Sequence, residues 1–529
     1  MLNALRRYGA LLLVLTVIVG VCLLFSCRKS GMFIDEIYTY GLSNSHYAPY
    51  LRDAAGGTLR DQTLTRQDLL DYVTVGDEGI DLGSVVYNQI QDVHPPLYYW
   101  LFHLASAITP HVFSKWTGLV LDGLIYLWAC LLLYRLVIVL YGSRYNAAAT
   151  VALYGLSTIG LSTMLMIRMY VLMTALTVLL ALLAARLMKE PKPWLYPAVG
   201  LTVFLGLMTQ YYFVFYAFFL CAAYVLWALL KKDFKSLGLF ALCAFTGVGL
   251  LLLCFPACLD QLFAEKLVSG GNALENLRNT AGYSLRFELL IRPLRKKYLK
   301  AARYAAIALL PALLLCCRGL LRAGLEKRLV LAPTLVILLP ALITLPLVVV
   351  IAPVPENRYF YNLIPILVLL VSFLLHLLEE ALGKFRYAEL WKNAAALALL
   401  ALALWEARTI PPDFLYPEYR DYDAALAPYA AGPCVYLTDD YFAPVTQDLL
   451  QLLSFEDFFI TGEPESGALD EYLAARESGS CVVFIDVSKY WSSGFEPEEM
   501  LPRLLESTAY SASAPLYENE LSVCYLLSK

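Results

Sequence analysis

Two short stretches hold the side chains best suited to moving a proton. In GMFIDEIYTYGLSNS, Asp35 and Glu36 are adjacent carboxylates set among Met32, Phe33, Ile34, Ile37, Tyr38 and Tyr40. In QDVHPPLYYWLFHL, Asp92 and His94 stand just before the tandem prolines Pro95 and Pro96. Carboxylates and imidazoles are the usual general bases and acids near neutral pH, and a fold that buries charged groups among apolar neighbours must give them partners. The plain alternatives are a solvated acidic pair at a helix end, and an N-capping aspartate beside a turn histidine. At the second stretch the prolines fix extended backbone just ahead of a helix and are tolerated in its first turn, so Asp92 and His94 are held at the helix entry.

The elements that must position these residues belong to a membrane protein. The chain has 529 residues, of which 60% are hydrophobic and 16% charged, and its mean hydropathy of +0.62 lies outside the soluble range. Net charge is −4, with no long basic block, which argues against nucleic acid as a partner. Residues 8–27, YGALLLVLTVIVGVCLLFSC, are long enough to span a bilayer and follow Arg6 and Arg7. A cytoplasmic N-terminus follows from that charge. The run is long for a signal-peptide core and has no small-x-small cleavage site before the acids, so a retained anchor is expected, with Asp35 and Glu36 on the outer face.

Apolar runs continue to residue 410, near 96–109, 116–141, 146–163, 165–187, 195–210, 211–230, 237–259, 301–319, 329–352, 360–378 and 393–409. With ordinary error at boundaries they amount to roughly eleven to thirteen spans. Lys189 with Lys192, the Lys231, Lys232 and Lys235 group, Arg318 with Arg322, Lys327 and Arg328, and Lys384 with Arg386 fall at alternate connections, as the positive-inside rule requires. One conflict stands: residues 96–141 must cross an odd number of times if Arg135 and Arg144 are inside, yet the run divides most naturally into two helices. The same topology puts Arg168, the 260–300 loop and PVPENRYFYN outside with Asp35.

The expected organisation is a polytopic helical domain over 1–410, with 28–94 as its first external loop, and a small external α/β domain over 411–529. In the tail, PCVYLTDD, FFIT and CVVFIDV read as strands, TQDLLQLLSF and PEEMLPRLLEST as helices, and LYENELSVCYLLSK as a closing antiparallel hairpin. Nine of the twelve cysteines lie in or beside apolar runs; Cys434, Cys481 and Cys524 lie in the tail, where at most one disulfide can form among them.

FIDE after the first span and DVHPPL at a later helix entry resemble the protein O-mannosyltransferases and the wider GT-C superfamily of glycosyltransferases that use polyprenyl-phosphate sugars. MIRMY and ENRYFYNLIPIL are collinear with that pattern. The resemblance covers roughly residues 1–410; the tail is not the MIR-type luminal insertion of eukaryotic mannosyltransferases, which argues for a bacterial plasma membrane with the tail extracellular. It implies a GT-C-like bundle that transfers a sugar with inversion from a polyprenyl-phosphate donor to an external glycan, lipid or protein acceptor. Asp35 would be the base, Glu36 would orient acceptor or base, and Asp92 would assist. Arg168 and Arg358 would hold the donor phosphate, since an arginine fork matches its oxygens, with His94, Tyr170 and Tyr359 beside them and Tyr211 lining the cleft. Headgroup-snorkelling arginines and interfacial tyrosines are the competing readings. Five histidines without paired spacing give no metal signature, and a loosely held divalent cation near the phosphate is left open. A Gly-Gly break in the 260–300 loop suits either a gate for the lipid or a passive connector on the membrane. The rival from another class is a transporter or lipid flippase, against which the notable charges cluster at helix ends and no internal repeat is evident.

Overall fold

The computed structural model describes residues 2–263, 276–322, 332–382, 387–439, 442–476, 478–488 and 494–529. Among them, eight helices are long and apolar enough to cross a bilayer, with a ninth crossing if the bent pair Arg144–Gly155 and Thr158–Leu165 is one span. That is fewer than the roughly eleven to thirteen expected; Leu195–Leu207 is apolar but only 13 residues long, and Lys300–Arg322 has 23 residues. Lys327, Arg328, Lys384, Arg386 and the Gly-Gly break at 270–271 lie outside the described residues.

The run 96–141 resolves its own conflict. Leu97–Ser106 is a helix of 10 residues, about 15 Å long at 1.5 Å per residue and about half of a bilayer core. The single crossing is therefore made by Lys115–Tyr141, with 27 residues.

The run 146–163 is not one rod, because the chain bends by 62° between Gly155 and Thr158. A break among apolar residues frees N–H groups that lipid cannot satisfy. Ser157 Oγ accepts one of them, from Gly160 at 3.1 Å. The fully buried Glu406 accepts from the Thr158 N–H at 3.0 Å with one oxygen and from the Ala301 N–H at 2.5 Å with the other. One carboxylate thus serves the first turns of two helices, where the helix dipoles favour negative charge.

Contacts divide the chain into two compact units. The membrane unit comprises Met1–Ser26, Val93–Tyr98 and Leu119–Asp413; the second comprises Cys27–Asp92, Tyr99–Gly118 and Phe414–Lys529. The expected division after residue 410 kept 28–94 with the membrane helices, whereas the contacts group nearly all of it with the tail. The sheet shows why.

Six strands, β1 (Gln62–Thr65), β2 (Cys434–Leu437), β3 (Asp457–Thr461), β4 (Ser480–Asp486), β5 (Ala512–Glu518) and β6 (Ser522–Ser528), lie in the order β1-β3-β2-β4-β6-β5. β2 is parallel to β3 and β4, whereas β6 and β5 close one side as an antiparallel hairpin. β1, from the first external loop, extends the other side antiparallel to β3, with Gln62 opposite Ile460 and Thr65 opposite Asp457. Arg66 then spreads its guanidinium over the carbonyls of Leu453 (2.9 Å), Ser454 (3.0 Å) and Phe455 (3.2 Å), so backbone and side chain together fasten the loop to the tail. Period-two alternation sends Val435, Leu437, Val483 and Ile485 to the core under the helices Gly467–Ala474 and Pro497–Ser507. The register pair Tyr436 and Phe484 stacks on the opposite face, 5.5 Å apart. Cys434, Cys481 and Cys524 are buried free thiols of this sheet.

Candidate active site

Asp35 and Glu36 open the helix Ile34–Asn44 of the second unit, and they part company at once. Glu36 is fully buried. Its Oε2 accepts from the Phe33 N–H at 2.8 Å, capping its own helix, and pairs with Lys29 Nζ at 2.9 Å, both side chains being 0% exposed. Lys29 also donates to the Phe414 carbonyl at 2.7 Å and lies 5.4 Å from the Tyr416 ring centre. Glu36, expected to orient acceptor or base, forms a buried ion pair that ties the helix start to the segment entering the tail. Asp35, one residue earlier and about 100° round the helix, is only partly buried.

The rest of that helix is held from several sides. Gly41 lies so close to Tyr72 that an added Cβ would fall 2.1 Å from the ring. Tyr40 donates to the Ser114 carbonyl at 2.8 Å, and Asn44 to the Val73 carbonyl at 2.9 Å. His103 bridges the Ser43 carbonyl, 2.7 Å from Nδ1, and the Asp81 N–H, 3.0 Å from Nε2. Burial lowers the His103 pKa from its ordinary value, and those two bonds suit the neutral tautomer with its proton on Nδ1. Asp92 is the C-cap of the helix Leu82–Gln91, its N–H reaching the Asn88 and Gln89 carbonyls at 3.2 Å. It is not the N-cap of the next helix, which starts at Leu97 after the buried Pro95 and Pro96.

In the membrane unit the structure brings the two expected arginine motifs together. Arg168, 3% exposed, sits at the turn between Thr158–Leu165 and Tyr170–Lys189. Arg358, 8% exposed, belongs to the 3-10 turn Asn357–Leu363, pairs with Glu356 at 2.9 Å and lies 5.6 Å from the Tyr359 ring centre. Tyr170 meets Tyr359 and Tyr361 edge-on, with ring centres 6.4 and 6.2 Å apart. Asn362 Nδ2 donates to Thr177 Oγ1 at 3.2 Å, fixing the turn to the helix. His94 is partly buried in this unit, just ahead of Leu97, whose N–H reaches the Met208 carbonyl at 3.0 Å. Tyr211 donates to Gln261 Oε1 at 2.5 Å.

Two residues escaped the sequence reading. Lys29 was legible only as a base beside a span, and its partner seven residues on carried no signal for it. Arg286, on the helix Tyr283–Pro293, donates to the Ala352 carbonyl at 2.6 Å. Burial pushes the Tyr212 phenol up from its ordinary value, Tyr359 adds to the shift, and the charge of Arg286 opposes it. The rings of Tyr212 and Tyr359 lie 4.9 Å apart. Among the described residues, no group of three or more His, Cys, Asp or Glu is placed to hold a metal ion.

The family model for dolichyl-phosphate-mannose-protein mannosyltransferase matches residues 93–251, a stretch that includes His94, Arg168 and Tyr170. Among solved structures, ArnT from Cupriavidus metallidurans in the apo state superposes with a TM-score of 0.52 at 12% identity, covering 98% of each chain. This chain shares the fold of that protein. The oligosaccharyltransferase AglB from Archaeoglobus fulgidus, in complex with an inhibitory peptide and a dolichol-phosphate, is more distant: TM-score 0.46, 12% identity, 93% of this chain and 72% of that one. No curated protein sequence matches. Neither the family model nor the superposed structure is that of a transporter or flippase. Asp35 and Arg358 lie outside the matched stretch, so their roles rest on chemistry.

Proposed function

We propose that this chain is a GT-C membrane glycosyltransferase that moves a sugar from a polyprenyl-phosphate donor to an acceptor outside the membrane, with inversion at the anomeric carbon. Asp35 takes the proton of the acceptor hydroxyl as that oxygen attacks. The anomeric C–O bond breaks, and the electron pair leaves with the lipid phosphate, whose growing charge needs cations. Arg168 and Arg358 supply them. Asp92 and His94 assist, and Glu36 acts through the helix it anchors. The N-terminus is read as inside and the tail as outside because basic residues mark alternate connections, and the bacterial plasma membrane by the family resemblance.

The observation that carries this reading is that two nearly buried arginines lie on segments packed together, the turn of Arg358 meeting the helix that follows Arg168 where the Tyr170 and Tyr359 rings stand edge-on. Guanidinium stays charged when buried, and its planar fork suits phosphate oxygens. Mass spectrometry of the purified protein should find a sugar-bearing polyprenyl phosphate bound to it. Arg168→Lys and Arg358→Lys should each weaken donor use, at least one of them severely, because a point ammonium cannot reproduce a two-pronged contact. Parent-like donor kinetics in both variants would reduce these arginines to headgroup anchors.

A further inference from the structure

The helix Ile34–Asn44 has an inner and an outer face. Ile37 is fully buried and Tyr40 is 2% exposed, packed edge-on to Phe102 and Phe113 at 4.7 and 4.9 Å. Asp35 and Tyr38, three residues apart and so neighbours on one side of the helix, are both only partly buried. Tyr38 does not stand alone there. Its ring meets Tyr50 and Phe442 edge-on, each at 6.3 Å, and Tyr50 stacks on Phe442 at 4.6 Å with 26° between the planes. The Tyr50 hydroxyl donates to the Gln91 carbonyl at 3.1 Å, next to Asp92. The three rings therefore run from the residue after one turn of Asp35's helix to the residue before Asp92.

Two of the rings come from the first external segment and one from the tail, where Phe442 begins the helix Phe442–Gln447. Tyr38 packs on one side against the buried Leu42, Val85 and Tyr99, but it is not enclosed as Tyr40, Tyr72 and Tyr99 are. All three here keep part of their surface open.

We infer that Tyr38, Tyr50 and Phe442 form an acceptor platform that stacks on a sugar ring, so that the acceptor bears a saccharide; this rests on the glycosyl-transfer reading in taking Asp35 as the base served. A pyranose presents a patch of polarised C–H groups on one face and hydroxyls around its edge. The negative face of an aromatic ring attracts the first and leaves the second free to meet polar groups. A hydroxyl held over this platform has a carboxylate one helical turn away. The tail domain then has a share in substrate choice through Phe442.

The test uses the full-length protein in detergent, with free N-acetylglucosamine, glucose and mannose as probes in saturation-transfer NMR. At least one sugar should receive saturation at its ring C–H protons. Phe442→Ala and Phe442→Leu should weaken binding by about two- to tenfold, the range for losing one aromatic contact, and Phe442→Trp should restore it. Phe442→Leu keeps apolar bulk without a ring face, so its thermal unfolding, matched to the parent, separates stacking from packing. Failure of all three sugars to bind, parent-like binding by Phe442→Leu, or saturation of a serine-containing peptide in place of sugar would overturn the platform. The base assignment is read separately from Asp35→Asn: sugar binding with an active Asp35→Asn removes the base and keeps the platform, and an inactive Asp35→Asn without sugar binding does the reverse.

Discussion

Asp35→Asn is expected to lower turnover by about 10²- to 10⁴-fold, the usual contribution of a positioned general base, while the protein still inserts and binds its donor. The amide keeps the size of the side chain and loses its basicity. Asp35 sits in the first turn of its helix, whose buried anchoring pair is formed by Lys29 and Glu36, so the substitution keeps both members of that pair. The measurement is sugar transfer from the bound lipid donor under single-turnover conditions, alongside donor retention in the purified protein. A rate within a few-fold of the parent would move the base elsewhere, with Asp92→Asn as the next variant to examine.

The second large effect is on stability. Lys29→Met should cost about 3–5 kcal/mol, because it strands the Glu36 carboxylate in a site that water does not reach. The double variant Lys29→Met with Glu36→Leu should recover much of that loss, since the desolvation penalty disappears with both charges. Full recovery is not expected, because Glu36 also caps the helix at Phe33. Denaturation midpoints of the parent, both single variants and the double variant give the coupling directly. A Lys29→Met protein as stable as the parent would show that this pair does not hold the helix. Since the lysine also grips the Phe414 carbonyl, the same variant should loosen the entry to the tail.

The sequence and the structure agree best where periodicity is strong. The tail strands Cys434–Leu437, Asp457–Thr461 and Ser480–Asp486 begin at or within one residue of the stretches whose β-rich composition marked them, and the closing hairpin was visible in LYENELSVCYLLSK. β1 was not legible. QTLT is four residues long, and only Leu64 among them is buried. Its identity as a strand comes from the edge of β3, supplied by a distant part of the chain. The division of labour between Asp35 and Glu36 was equally hidden. Adjacent residues on a helix point about 100° apart, but which of them faces inward depends on where Lys29 and Phe414 lie, and no local pattern records that. The short helix Leu97–Ser106 was read as span-like because its composition is apolar; only its length shows that it does not cross.

The pairing of β1 with β3 also bears on how the protein is made. Arg66 and the Leu453 carbonyl that it grips are 387 residues apart, and every membrane-crossing helix described above except the first, Leu2–Arg28, is synthesised between them. At about 5–20 residues per second, roughly 20–80 s pass between emergence of the loop and emergence of its partner strand. During that interval β1 has no sheet to join, and an unpaired strand edge invites association with other chains. Gln62, Thr63 and Thr65, polar side chains on a strand of only four residues, blunt that hazard. The brevity that hid β1 from a reading of the sequence is what lets it wait.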